Sequence, residues 1–76
     1  MHLRVLGKDP GSEDGASPTL FATNRTDRKT YLVQGWRVTD PEALAALGEI
    51  PPGETVIEIP ADLLRFADEE RKEEGR

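Results

Sequence analysis

Four short segments alternate apolar with polar residues, or are rich in β-branched and aromatic side chains, and so predict β-strands. They are residues 3–6, 19–23, 30–38 and 55–59. Because a short polar stretch joins the second segment to the third, we expect these two strands to form an antiparallel hairpin. Gly35 interrupts the third segment, which indicates a bulge or a close approach of another backbone.

A short helix is predicted over residues 41–47. Thr39 or Asp40 can cap its free amide groups, and Pro41 is tolerated at the first helical position. Gly48 follows the last apolar residue and suits the end of a helix. The predicted helix is therefore well defined at both of its ends.

A second helix is predicted over residues 61–74, where apolar residues recur at helical spacing on one side. Its last turns lack apolar residues, so we expect residues 70–76 to fray into solvent. Residues 7–18 combine glycine and proline with acidic residues and serine, which predicts a flexible loop between the first two strands.

The element order β-β-β-α-β-α predicts a single α+β domain over residues 1–76. We expect a small antiparallel sheet of about four strands, with two helices on one face. The residues predicted to form the core are Leu3, Val5, Leu20, Ala22, Leu32, Val38, Leu44, Leu47, Ile57, Ile59, Leu63, Phe66 and Ala67. A second apolar patch, on the other face, would contain Phe21, Tyr31, Val33 and Val56. A homodimer through that open face or through a sheet edge would cover it.

The composition excludes several kinds of chemistry. The chain has no cysteine and a single histidine, His2. It therefore cannot form a disulfide or use a thiol nucleophile, and it lacks the nitrogen and sulfur ligands of a zinc site. No serine or carboxylate pair has a sequence context that suits catalysis. We predict that the chain is not an enzyme and that it uses no metal and no cofactor.

Two further features suggest a cytoplasmic protein. The opening apolar stretch is too short for a secretory signal, and no apolar run is long enough to span a bilayer. The lack of cysteine fits a reducing compartment. We therefore expect a soluble protein with no membrane association.

Charge is distributed unevenly along the chain, whose net charge is -5. Residues 1–38 contain six basic and four acidic residues, whereas residues 39–76 contain four basic and eleven acidic residues. Such a division can mark an interaction surface. It also argues against a protein that binds polyanions over its whole surface.

The predicted hairpin contains the candidate binding residues of this chain, which are Arg25, Arg28, Lys29, Trp36 and Arg37. Cations beside an aromatic ring can neutralise phosphates and stack on bases, so single-stranded nucleic acid is one interpretation. Tryptophan and arginine are also frequent anchors in protein interfaces. The simplest interpretation is that Trp36 packs in the core, because it shares a strand face with Leu32 and Val38.

Residues 7–10, 17–20, 31–36 and 38–44 together resemble a set of short uncharacterised actinobacterial proteins, often encoded near helix-turn-helix regulators. The resemblance extends to about Leu64. It implies no fold, activity or site residues, but the gene neighbourhood implies a regulatory partner.

These observations lead to two hypotheses. The first is a small non-enzymatic protein-interaction module, in the form of an accessory to a transcription regulator, that binds a protein partner and forms a homodimer. The alternative is a nucleic-acid-binding module that uses the basic hairpin of residues 24–37.

Overall fold

The computed structural model describes residues 1–11 and 17–74, and it has a small α+β fold with antiparallel strands and two helices, as the sequence predicts. Three strands form one sheet in the order β1-β2-β3. They are β1 (Leu3–Lys8), β2 (Thr19–Thr23) and β3 (Tyr31–Gln34). The pairing of β2 with β3 confirms the predicted hairpin.

The structure describes both ends of the connection between β1 and β2. β1 continues through Lys8, and the Asp9 amide donates a hydrogen bond of 2.9 Å to the carbonyl oxygen of Pro18. Pro18 is fully buried. Residues 12–16 of the predicted flexible loop lie outside the described residues. At its two ends, the 7–18 segment thus contains the last residues of β1 and the buried Ser17 and Pro18, while its flexibility stays a prediction.

The predicted third strand is divided at Gly35. After β3, the chain forms β4 (Trp36–Arg37), which pairs antiparallel with β5 (Ile57–Glu58) in a separate two-stranded sheet. A Cβ atom at Gly35 would lie 2.6 Å from the carbonyl oxygen of Glu58 and 2.7 Å from Cγ2 of Ile59. The chain thus changes from one sheet to the other at a residue that must have no side chain.

The first helix, α1 (Pro41–Leu47), has the ends that its sequence predicts. The N-cap residue is Asp40, whose Oδ2 accepts a hydrogen bond of 2.9 Å from the Ala43 amide. The helix ends at Gly48, which has a φ of 69° and whose amide donates to the Leu44 carbonyl oxygen. No residue of α1 is buried. Instead of covering the three-stranded sheet, α1 faces the smaller sheet.

The second helix, α2 (Leu64–Glu74), follows a 3₁₀ turn at Ala61–Leu63 and packs on β1. Leu63 is fully buried, and the Phe66 ring lies against the backbone of Gly7. Residues 75–76 of the predicted frayed tail lie outside the described residues. The structure places Glu70 in a buried position and continues the helix to Glu74, while the fraying of the tail stays a prediction.

The strand register corrects the predicted core. Leu20 and Ala22 lie on the face that α2 covers, and they are opposite Val33 and Tyr31 of β3. Leu32 is opposite Phe21 and therefore lies on the other face. The residues placed on the wrong face by the sequence prediction are Leu3, Val5, Leu32, Tyr31 and Val33. Alternation shows which residues of one strand share a face, but it does not show how two strands are aligned.

The helices in the described ranges include none with the length and the apolar character needed to cross a membrane.

Substituting Gly35→Ala tests the close approach of the two sheets. The new methyl group would clash with a backbone oxygen of β5, so we expect the free energy of unfolding to fall by about 1–3 kcal/mol. Urea denaturation followed by circular dichroism measures this change. Gly11→Ala is the control, because the nearest atom to its Cβ would be 3.7 Å away. Equal stability of the two variants would contradict the described contact at Gly35.

Candidate functional site

A buried carboxylate connects α2 to the three-stranded sheet. The Glu70 side chain is only 5% exposed. Its Oε1 accepts hydrogen bonds from Nη2 of Arg4 at 3.1 Å and from Nζ of Lys29 at 2.9 Å, and its Oε2 accepts one from the Tyr31 hydroxyl at 2.8 Å. The donors come from β1, from the end of the hairpin connection and from β3. This cluster therefore links the helix to both outer strands of the sheet.

The cluster explains how an acidic residue can be buried in so small a protein. A buried carboxylate is costly unless cations and hydrogen-bond donors compensate the loss of water, and Glu70 has both. The Lys29 ammonium group also lies 5.4 Å from the centre of the Tyr31 ring. We interpret the cluster as structural. Because Lys29 contacts Glu70, it does not belong to the cations that face only solvent.

Substituting Glu70→Ala tests the role of the cluster. It removes three hydrogen bonds and leaves the Tyr31 hydroxyl and two cations without this acceptor. Because the Arg4 and Lys29 side chains are partly exposed, water compensates part of the loss, and we expect a fall of about 1–3 kcal/mol in the free energy of unfolding. Glu69→Ala, at the exposed neighbouring position, should change stability by less than about 0.5 kcal/mol. A similar, small effect of both substitutions, measured by urea denaturation, would contradict the anchoring role.

The five predicted binding residues do not form one surface. Arg25 and Arg28 are exposed beside Lys29, in the connection that precedes β3, and Arg25 lies 3.8 Å from the Asp27 carboxylate. Trp36 and Arg37 follow the other end of β3. The four residues of β3 span about 13 Å at the usual rise of a strand. The structure therefore separates the basic residues of the hairpin connection from Trp36, with which they were expected to form one binding surface.

The interpretation of Trp36 as a core residue is wrong. Its side chain is 46% exposed, since β4 pairs only with the two residues of β5 and no large layer covers it. Trp36 and Arg37 are consecutive strand residues and point to opposite faces of β4. They consequently cannot belong to the same flat contact surface.

A larger apolar surface lies between α1 and the smaller sheet, and we call it the α1 groove. One part of it is a cavity of about 560 Å³, and the adjoining part is a cavity of about 630 Å³. The two parts share Val38, Leu47, Val56 and Ile57 as lining residues. Leu44 and Ile50 line the first part, and Ala43 and Ala46 line the second.

The apolar residues of the α1 groove remain accessible to solvent. Leu44 is 48% exposed and Leu47 is 43% exposed, and Ile50 and Val56 are also exposed. A typical amphipathic helix buries its apolar side chains against its own domain. Here α1 has only a two-stranded sheet to pack on, so its apolar stripe is not covered within the described chain.

Acidic residues surround the α1 groove. Asp40 and Glu58 line it, together with a single basic residue, Arg37. Exposed acidic side chains are also present at Glu42, in the first turn of α1, and at Glu49 and Glu54, in the connection between α1 and β5. The groove is thus an apolar surface with a predominantly negative rim.

Sequence reasoning recognised the apolar stripe of α1 but assigned it to the core. A signal of its exposure was present in the sequence, because a seven-residue helix followed by a proline-rich turn has few neighbours to pack on. The importance of Glu70 had no comparable signal. It lies in a run of charged residues that is typical of a solvated helix.

Among the described residues, no group of three or more histidine, cysteine or acidic side chains is arranged to hold a metal ion. Comparison with protein-family models, with curated proteins and with solved structures finds no match to this chain. The resemblance to actinobacterial proteins therefore stays a hypothesis.

Proposed function

We propose that the chain is a small non-enzymatic protein-interaction module whose α1 groove binds an apolar segment of a partner protein. The observation that carries this proposal is the exposure of Leu44, Leu47, Ile50 and Val56 around one continuous depression. Clustered apolar side chains on the surface of a small protein are typical of interaction sites. Burying them against a partner would supply the stabilisation that α1 does not obtain from its own chain.

The charge of the rim indicates the chemistry of the partner. From Arg37 to Glu58, with both included, the chain has five acidic residues and one basic residue. A partner segment with apolar side chains and flanking lysine or arginine residues would complement this surface and would be attracted to it at long range. An amphipathic helix with a basic polar face meets both requirements, because it presents an apolar stripe to a groove.

A basic partner agrees with the role of an accessory to a transcription regulator. DNA-binding proteins carry basic surfaces, and the resemblance described above implies a regulator encoded nearby. The proposal includes a cytoplasmic location, which the absence of cysteine supports.

The nucleic-acid alternative has less support. Its basic residues and its aromatic residue lie at opposite ends of β3, and Lys29 contacts Glu70. Glu58 lies directly opposite Trp36 in the β4–β5 pair, and its carboxylate would repel phosphates.

Binding of defined peptides by the α1 groove tests the proposal. The probe is a labelled amphipathic helical peptide with leucine at helical spacing and lysine on its polar face, and fluorescence anisotropy gives the Kd. We expect Leu47→Asn to weaken binding by at least about tenfold, because Leu47 lines both parts of the groove. The matched control is Leu64→Asn, an exposed leucine of α2 outside the groove, which should leave the Kd unchanged.

A second peptide, with glutamate in place of lysine, separates the effect of charge from that of apolar contact. It should bind more weakly than the basic peptide, and the difference should shrink as salt is added. Equal loss with both leucine variants would contradict the groove as the binding site. A labelled single-stranded oligonucleotide that binds tightly, and loses affinity when Arg25 and Arg28 are replaced by glutamate, would favour the alternative.

A further inference from the structure

Buried side chains are confined to one part of the described chain. They lie within residues 17–22, at Leu63 in the 3₁₀ turn and at Glu70 of α2. Residues 36–59, which we call the α1 lobe, contain β4, α1 and β5, and the structure describes all of them. None of these residues is buried. The α1 lobe therefore has no interior of its own.

This weak packing limits the stability of the α1 lobe. Its best-covered side chains are only half-buried, and they are Val38, Ala43, Ile57 and Ile59. Because stabilisation from apolar burial grows with the area removed from water, each of them contributes less than a fully buried side chain such as Leu63. The loss of backbone entropy on ordering a residue is similar in both parts of the chain. The lobe is therefore held together less strongly than the part that contains the buried residues.

The elements of the α1 lobe also lack stability of their own. Helix α1 has seven residues, whereas an isolated helix of fewer than about 12–15 residues is marginal in water. The β4–β5 pair has two residues in each strand, and an isolated two-stranded hairpin is marginal as well. Since α1 and the β4–β5 pair depend on each other, we expect them to fold and unfold together.

The main part of the fold does not depend on the α1 lobe. The strand pairs β1–β2 and β2–β3 and the hydrogen bonds of Glu70 involve only residues outside 36–59. The lobe begins after Gly35 and ends before Pro60, the first residue after β5 and Ile59. Its opening would break the close contact between Gly35 and the Glu58 carbonyl group, but it would leave the anchoring of α2 intact.

The α1 groove is formed within this weakly packed part of the chain. All of the residues that line its two cavities lie in the range 35–58. The groove consequently exists only while α1 and the β4–β5 pair are packed together. A partner that binds in the groove therefore binds the closed lobe and not the open one.

We propose that the α1 lobe is a separate unit of local unfolding, which opens while the three-stranded sheet and α2 stay folded, and that a partner bound in the α1 groove holds it closed. Elements with few buried apolar contacts open at a lower free energy than the core, and binding elements are often drawn from them. The separate opening stands on the packing alone. Its control by a partner rests on the proposed function.

Amide hydrogen exchange of the free chain, followed by NMR spectroscopy, tests the separate opening. The backbone amides of α1 and of the β4–β5 pair should share one protection factor, at least about tenfold below that of the β2 amides. Equal protection of α1 and β2 would mean that the chain opens as one unit, and would overturn the proposal.

Two chemically matched substitutions show which part of the chain opens. Ala45→Gly changes an exposed position of α1 that does not line the groove, and Ala67→Gly changes a position inside α2. A glycine inside a helix costs backbone entropy, so Ala45→Gly should lower the protection of α1 by about two- to fivefold. It should lower that of β2 equally, since α1 is also unfolded when the whole chain unfolds.

The response to Ala67→Gly should be one-sided. It should lower the protection of β2 by at least about twofold and leave that of α1 unchanged, because α2 stays folded when only the lobe opens. A parallel loss of protection in α1 would contradict the separate opening.

The basic amphipathic peptide tests whether binding closes the lobe. Because the open lobe has no groove, added peptide should raise the protection of the α1 amides by a factor that grows with its concentration. Peptide binding without this rise would overturn the control of the lobe by a partner. A peptide that does not bind would contradict the proposed function, whereas exchange in the free chain would still confirm or overturn the separate opening.

Discussion

Helix α2 covers a single face of the three-stranded sheet. This packing determines which apolar side chains of the protein stay exposed. Glu70 fixes α2 to β1 and β3 through Arg4 and Tyr31, and Leu63 and Phe66 fill the space beneath. Of the two described helices, α2 packs on β1, whereas α1 lies beside the smaller sheet. Apolar side chains therefore remain exposed in the α1 groove, which is the physical basis of the proposed interaction surface.

Local sequence signals predicted the elements well, because local chemistry determines them. The cap at Asp40 and the glycine at Gly48 define α1, and the change of sheet occurs at the glycine expected to allow a close approach. Long-range alignment was not predictable in this way. The pairing of Phe21 with Leu32 depends on how the whole hairpin packs against α2. A shift of the strand register by one residue would exchange the side chains on the two faces of the sheet.

The candidate site was predictable in part. Arg37 lies at the α1 groove, and Trp36 is exposed as an interface anchor would be, but the strand geometry points them in opposite directions. The basic residues of the hairpin are distant from both, and Lys29 is paired with an acidic residue 41 positions later in the chain. Such a pairing cannot be read from a charge pattern, since the residues meet only after the helix has packed on the sheet.

The most direct test of the central claim is a methyl-group NMR titration with the basic amphipathic peptide. We expect the methyl signals of Leu44, Leu47, Ile50 and Val56 to shift together as the peptide is added, while those of Val5 and Leu32 do not respond. Shifts confined to the amides of Arg25, Arg28 and Lys29, with the groove methyl groups unchanged, would contradict this claim.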